Sequence, residues 1–146
     1  MRDPIGILVL CTGNSARSVM AEVLLNALGK GRIKAYSAGS QPAGRINPLT
    51  LEVLREKGYA TDGLRSKSWD EFAGLDAPSM DVVVTVCDNA AGEVCPFWPG
   101  RPVKLHMGFP DPAAFDGTPA ERLAEFRRVF ALIEARLTAM AAELLT

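Results

Sequence analysis

The sequence is short of the residues that bind soft metals or staple small domains: its 146 residues include three cysteines and one histidine. Three cysteines are too few, and odd in number, for a disulfide framework of the secreted kind. Cys87 and Cys95 with His106 supply at most three ligands, where a structural zinc takes four. A dominant charge is missing too. Sixteen Lys and Arg against seventeen Asp and Glu give a net charge of −1, which argues against a nucleic-acid module. No apolar run approaches the ~20 residues needed to span a bilayer. The run Ile5–Leu10 is also shorter than the h-region of a signal peptide, about 7–15 residues. The expectation is a cytoplasmic protein with no nucleic-acid or membrane partner. In that reducing compartment, cysteines that matter serve chemistry more often than architecture.

A hydrophobic share of 48% against 23% charged residues suits one globular domain, residues 1–146, and at this size a monomer is the default. Ile5–Leu10 and Val82–Val86 are short β-branched runs that read as strands buried on both faces, with Ile33–Ser37 and Val103–His106 as weaker strands. Ala16–Leu28 carries apolar residues at helical spacing. Asn47-Pro48 opens a second helix that Gly58 stops. Ser68-Trp-Asp-Glu71 and Thr118-Pro-Ala-Glu121 match capping boxes. The second box opens a long helix whose stripe Leu123, Phe126, Phe130, Ile133, Leu137, Met140 and Leu144 belongs to a core. This order predicts an α/β fold: a three-layer domain with a four-stranded parallel sheet flanked by helices. Ligands of such sheets bind beyond the carboxyl ends of the strands, so the residues after Leu10, Val86 and His106 decide the function.

After Leu10 comes Cys11-Thr-Gly-Asn-Ser-Ala-Arg17-Ser18, then a helix. Gly13 and Asn14 tolerate the left-handed backbone of a tight cradle. Successive N–H groups there converge on one anion, and the helix N-terminus adds positive potential. The predicted oxyanion-binding residues are Thr12, Gly13, Asn14, Ser15, Ala16, Arg17 and Ser18. The same field is expected to lower the pKa of Cys11 and make it a nucleophile. Arg17 offers a planar fork to two oxygens of a tetrahedral oxyanion, and Ser18 a hydroxyl to the sulfur. Alone, such a cysteine reads as a small buried residue at a strand end. Cys87 directly follows the third strand and so belongs on the same sheet edge, with Cys95 eight residues on.

The loop Cys11–Ser18 resembles the phosphate-binding loop of the low-molecular-weight protein tyrosine phosphatase superfamily, and the chain as a whole resembles its thioredoxin-coupled arsenate reductase branch. The likeness continues through Met20-Ala-Glu22, Tyr36-Ser-Ala-Gly39, Ser66-Lys-Ser-Trp-Asp70, Val82-Val-Val-Thr-Val-Cys87, Cys95-Pro96 and His106-Met-Gly-Phe-Pro-Asp111-Pro112. It implies arsenate as substrate. Cys11 would attack arsenic, Cys87 would release arsenite by forming a disulfide with Cys11, and Cys95 would move that disulfide to Cys87–Cys95. The relay asks the 88–95 segment to move. Asp111, at the matching position, would be the general acid; Asp-Pro also opens turns. Thioredoxin, or glutathione with glutaredoxin, would restore the thiols, and no cofactor or catalytic metal is expected. In some relatives a potassium ion is held by residues matching Asn14, Glu22, Ser37 and Asp70.

Three positions depart from the pattern. Ala16 stands where many relatives have a second loop cysteine, the Cys87–Cys95 interval differs by one, and Met107 replaces a frequent Trp. The rival readings are a low-molecular-weight tyrosine phosphatase using Cys11, Arg17 and Asp111, and a non-catalytic oxyanion-binding or thiol-sensor module. Against the phosphatase, Ala113-Ala114 stands where such enzymes usually place tyrosines. His106 is expected to be structural, and Trp69 and Trp98 to pack.

Overall fold

A computed structural model describes residues 3–87, 98 and 101–146. Cys95 and the segment 88–95 lie outside the described residues. The elements are β1 (Ile5–Cys11), α1 (Arg17–Gly29), β2 (Ile33–Gly39), α2 (Pro48–Glu56), β3 (Val82–Thr85), β4 (Val103–His106) and α3 (Pro119–Leu144). Short 3-10 turns at Trp69–Phe72 and Pro112–Ala114 complete them. The four strands pair in the order β2-β1-β3-β4, all parallel. The α/β architecture predicted from the sequence is the one observed.

Strand alternation sorts the core into two layers. Ile5, Ile7 and Val9 of β1, with Val82 and Val84 of β3, face α1, α2 and α3. Leu8, Leu10, Ala38 and Val83 face the other way, against Phe72, Met80 and Trp98. Among the described residues the sheet is flanked unequally: three α-helices on one face, and on the other the Trp69–Phe72 turn with Trp98, whose ring meets that of Trp69 edge-on at 6.1 Å. Central β1 is buried along its whole length, whereas β4 is exposed at every position, as an edge strand is.

Helix α3 buries Phe126, Phe130, Ile133, Leu137 and Met140, with Leu123 and Leu144 partly covered, so the predicted stripe is core. Each fully buried side chain of that size contributes about 1.5–3 kcal/mol. Its capping box forms: Thr118 Oγ1 accepts from the Glu121 N–H at 3.1 Å, and Glu121 accepts from the Thr118 N–H at 2.9 Å. The box predicted at Ser68 forms by half. Ser68 Oγ caps the Asp70 N–H at 3.1 Å, but the Glu71 carboxylate pairs with Arg65 instead. At α2, Asn47 Oδ1 accepts from the Leu49 N–H and Gly58 leaves the helix at φ +86°, a backbone open to glycine. Among the described residues no helix is long and apolar enough to cross a membrane.

Candidate active site

Register brings the site together. Cys11 ends β1 opposite Gly39 of β2, and Leu10 pairs with Thr85 of β3, so Cys87 comes level with the loop that follows Cys11. The carbonyls of that loop are held from outside. Those of Thr12, Gly13 and Ser15 accept from the N–H groups of Gln41, Ala43 and Asn47, at 2.9, 2.9 and 3.0 Å. Ser66 Oγ adds a bond to the Gly13 carbonyl, and Thr50 Oγ1 one to that of Ser15. In a trans peptide the next N–H points opposite to the carbonyl. The N–H groups of Gly13, Asn14 and Ala16 are thereby turned toward the cavity these residues line. Helix α1 begins just beyond, with no side-chain cap and no acid in its first turn. Its uncapped donors and dipole favour an anion there.

Of the two residues predicted to be left-handed, Asn14 is, at φ +47°, and Gly13 is not. Asn14 is wholly buried and fully bonded. Its Nδ2 donates to Ser18 Oγ and Ser37 Oγ, both at 2.9 Å, and its Oδ1 accepts from the Lys67 N–H at 3.0 Å. These bonds anchor the strained residue. Ser18 is buried, its Oγ accepting from Asn14, and it is not among the residues that line the cavity. Gly39 is a requirement of close approach, because a Cβ there would overlap the Thr12 carbonyl oxygen and press on Asn14. Sequence reasoning gave Gly39, Ser66 and Lys67 no role at the site. The only signal was their place in segments quoted for the family resemblance.

Cys11 and Cys87 are both buried, 5% and 4% exposed. Thr12 Oγ1 lies 3.5 Å from the Cys87 sulfur. The expected lowering of the Cys11 pKa is overturned in this arrangement. The hydrogen bond with Cys87 and, after it, burial raise the Cys11 pKa above the ordinary thiol range, outweighing the pull of the Arg17 charge and the Thr12 N–H. A Cys11 thiolate would here meet a second sulfur and packed side chains rather than water.

A cavity of about 280 Å³ is lined by Cys11, the loop through Arg17, Asp111 and Ala113. Arg17 reaches under the chain after β4: its Nη1 donates to the Phe109 carbonyl at 2.9 Å, and its Nη2 lies 3.7 Å from Asp111 Oδ2. Asp111 Oδ1 also accepts from the Ala113 N–H at 3.0 Å, capping the Pro112–Ala114 turn. Both readings of Asp111, turn-former and cavity carboxylate, describe the same side chain. Among the described residues that line the cavity none is aromatic, and Ala113 is small. His106 sits at the end of β4 with Nδ1 2.7 Å from Thr85 Oγ1, away from the cavity lining.

The residues matched to a potassium site come together only in part. Ser37 Oγ donates to Glu22 Oε1 at 2.6 Å, and Asn14 joins Ser37. Asp70 is exposed on the 3-10 turn, with no hydrogen bond or ion pair to the other three. The cation facing Glu22 is the Lys67 ammonium, 3.7 Å from Oε1. The donor set does not fit a resident potassium ion.

A family model described as low molecular weight phosphotyrosine protein phosphatase matches residues 6–146. An arsenate reductase of Halalkalibacterium halodurans is 40% identical over 123 residues, covering 84% of this chain and 85% of that protein. The crystal structure of an arsenate reductase from Archaeoglobus fulgidus superposes with a TM-score of 0.72 at 33% identity, covering 93% of this chain and 98% of that one. A thioredoxin-dependent arsenate reductase of Corynebacterium glutamicum gives 0.61 at 25% identity, covering 96% of this chain and 65% of that one. With the match spanning nearly the whole length and the loop built as described, the chain belongs to the low molecular weight phosphotyrosine protein phosphatase family.

Proposed function

We propose that this protein reduces arsenate to arsenite, with Cys11 as nucleophile, Cys87 and then Cys95 as resolving thiols, and an external thiol as reductant. One observation carries the reading: a second buried thiol, Cys87, stands beside the loop of Cys11, its sulfur 3.5 Å from Thr12 Oγ1, at an anion cavity that includes Arg17. Ester hydrolysis needs one sulfur at that place; reduction needs a second sulfur touching the first. The names of the relatives support arsenate as substrate, and that of the Corynebacterium glutamicum protein supports thioredoxin as donor.

Arsenate enters the cradle with its oxygens on the loop N–H groups and on the Arg17 fork. The Cys11 thiolate attacks arsenic; one arsenic–oxygen bond breaks, and Asp111 gives the departing oxygen a proton so that it leaves as water. Cys87 then attacks the Cys11 sulfur. The sulfur–arsenic bond breaks, its electron pair stays on arsenic, and arsenite departs as the Cys11–Cys87 disulfide forms. Cys95 attacks Cys87 and frees Cys11, and the reductant reopens Cys87–Cys95. The reading takes residues 1–146 as one domain acting as a monomer in the cytoplasm.

Arsenate-dependent NADPH oxidation coupled through thioredoxin and thioredoxin reductase tests it. Wild type turns over; Cys11→Ser, Cys87→Ser and Cys95→Ser lose repeated turnover, and Cys95→Ser alone keeps a single cycle. Replacing thioredoxin by glutathione and glutaredoxin identifies the donor. Hydrolysis of phosphomonoesters without arsenate turnover would make the protein a phosphatase. Arsenate binding without turnover under any reductant would make it a binding module.

A further inference from the structure

Lys67 has three attachments beneath the oxyanion loop. Its N–H donates to Asn14 Oδ1, and its carbonyl accepts from the Gly39 N–H at 2.9 Å. Its ammonium turns inward to Glu22, with a second bond to the Arg65 carbonyl at 3.2 Å. The two charged side chains are largely enclosed, Lys67 10% and Glu22 18% exposed. From Glu22 a chain of side-chain hydrogen bonds runs without a gap into the loop: Ser37 to Glu22, Asn14 to Ser37, and Asn14 is itself the left-handed loop residue.

A lone carboxylate at this depth needs a positive partner. A potassium ion and an alkylammonium carry the same charge and both seek carboxylate and carbonyl oxygens; here Lys67 brings that charge covalently and takes one of each. Burial works to discharge Lys67, and the Glu22 carboxylate, with Glu71 farther out, works to keep it charged, against the repulsion of Arg65. Among the described residues Asp70, the acid that would have enlarged a cation site, stays outside.

We propose that Lys67 is a tethered monovalent cation, a positioning residue whose ammonium replaces a dissolved potassium ion against Glu22 and fixes the oxyanion loop through Ser37 and Asn14. The loop of this protein therefore stands ready in any salt.

The test compares wild type with Lys67→Met, which keeps the length and removes the charge, in equal concentrations of potassium chloride and choline chloride. Two readouts serve: the melting temperature, and the affinity for inorganic phosphate by calorimetry. Wild type gives the same values in both salts. Lys67→Met melts lower in choline chloride and binds phosphate about ten-fold more weakly, the loss of one charge-assisted bond, and potassium chloride restores both. A potassium-specific gain in wild type overturns the proposal, as does a Lys67→Met protein that matches wild type in both salts. If Lys67→Met does not fold in choline chloride, folding on addition of potassium supports the proposal. Failure in both salts, while Glu22→Gln/Lys67→Met folds, overturns it, because an ion cannot then stand in for the ammonium. Melting does not involve arsenate, so failure of the proposed reaction and failure of this inference are separately visible.

Discussion

The two loops that close the cavity are built by opposite means. The one after β1 is held from behind: its carbonyls are taken by residues 41, 43, 47, 50 and 66, and the Asn14 side chain spends both its polar atoms on the scaffold. The one after β4 starts from an exposed edge strand, returns to the sheet through the Phe109 N–H on Val86, and then leans on Arg17. One cradle is rigid before any ligand arrives. The other is steadied by the arginine that faces the ligand, so binding and the placement of Asp111 share a part.

The sharpest way to break this contrast is Arg17→Lys, which removes the fork from the cradle and the donor from the Phe109 carbonyl together. We expect kcat/KM for arsenate to fall about 10^3-fold, the upper end for loss of one oxyanion donor. An effect confined to KM would mean that Arg17 serves binding alone. Asp111→Asn removes the carboxylate of the second loop, keeps its turn and should lower kcat by about 10^2-fold. Phosphate affinity measured by calorimetry should stay near that of wild type, and a large loss there would merge the two loops into one binding unit. Gly39→Ala attacks the scaffold of the first loop. Its Cβ meets the Thr12 carbonyl, and overpacking of this kind costs about 1–3 kcal/mol, readable in urea unfolding. Unchanged stability would show the loop to be more yielding than its hydrogen bonds imply.

The smallest shift is expected in the titration of Cys11 when Cys87→Ala removes its neighbour. Hydrogen bonding to Cys87 is the foremost cause raising the Cys11 pKa, and its removal leaves Arg17 and the Thr12 N–H opposed mainly by burial. The midpoint of Cys11 alkylation by iodoacetamide should therefore move to lower pH. A midpoint that stays or rises would separate the two sulfurs electrostatically and weaken the case for a relay.

Much of this was legible in the sequence because it is local. The strand–loop–helix order around Cys11, the Asn47-Pro48 and Thr118–Glu121 helix starts and the α3 stripe each declare themselves within a few residues. What stayed hidden is what the chain brings from elsewhere. Gly39 looks like any turn glycine until β2 is paired with β1, and Lys67 like any surface lysine until its backbone meets Asn14 fifty-three residues away. The bond from the Asn14 amide to the Ser18 hydroxyl was hidden too, because it depends on the left-handed turn at Asn14. The lowered Cys11 pKa was a sound inference from one loop; the sulfur that opposes it comes from the chain after another strand.

A cradle of backbone N–H groups around one guanidinium senses charge and tetrahedral shape and little else. Phosphate presents both, so the entrance of such a site cannot tell it from arsenate, and discrimination falls to a later event. For a protein of this design, phosphate in the surroundings acts as a competitor whose level sets how much arsenate is needed, and selectivity is a property of bond breaking rather than of recognition.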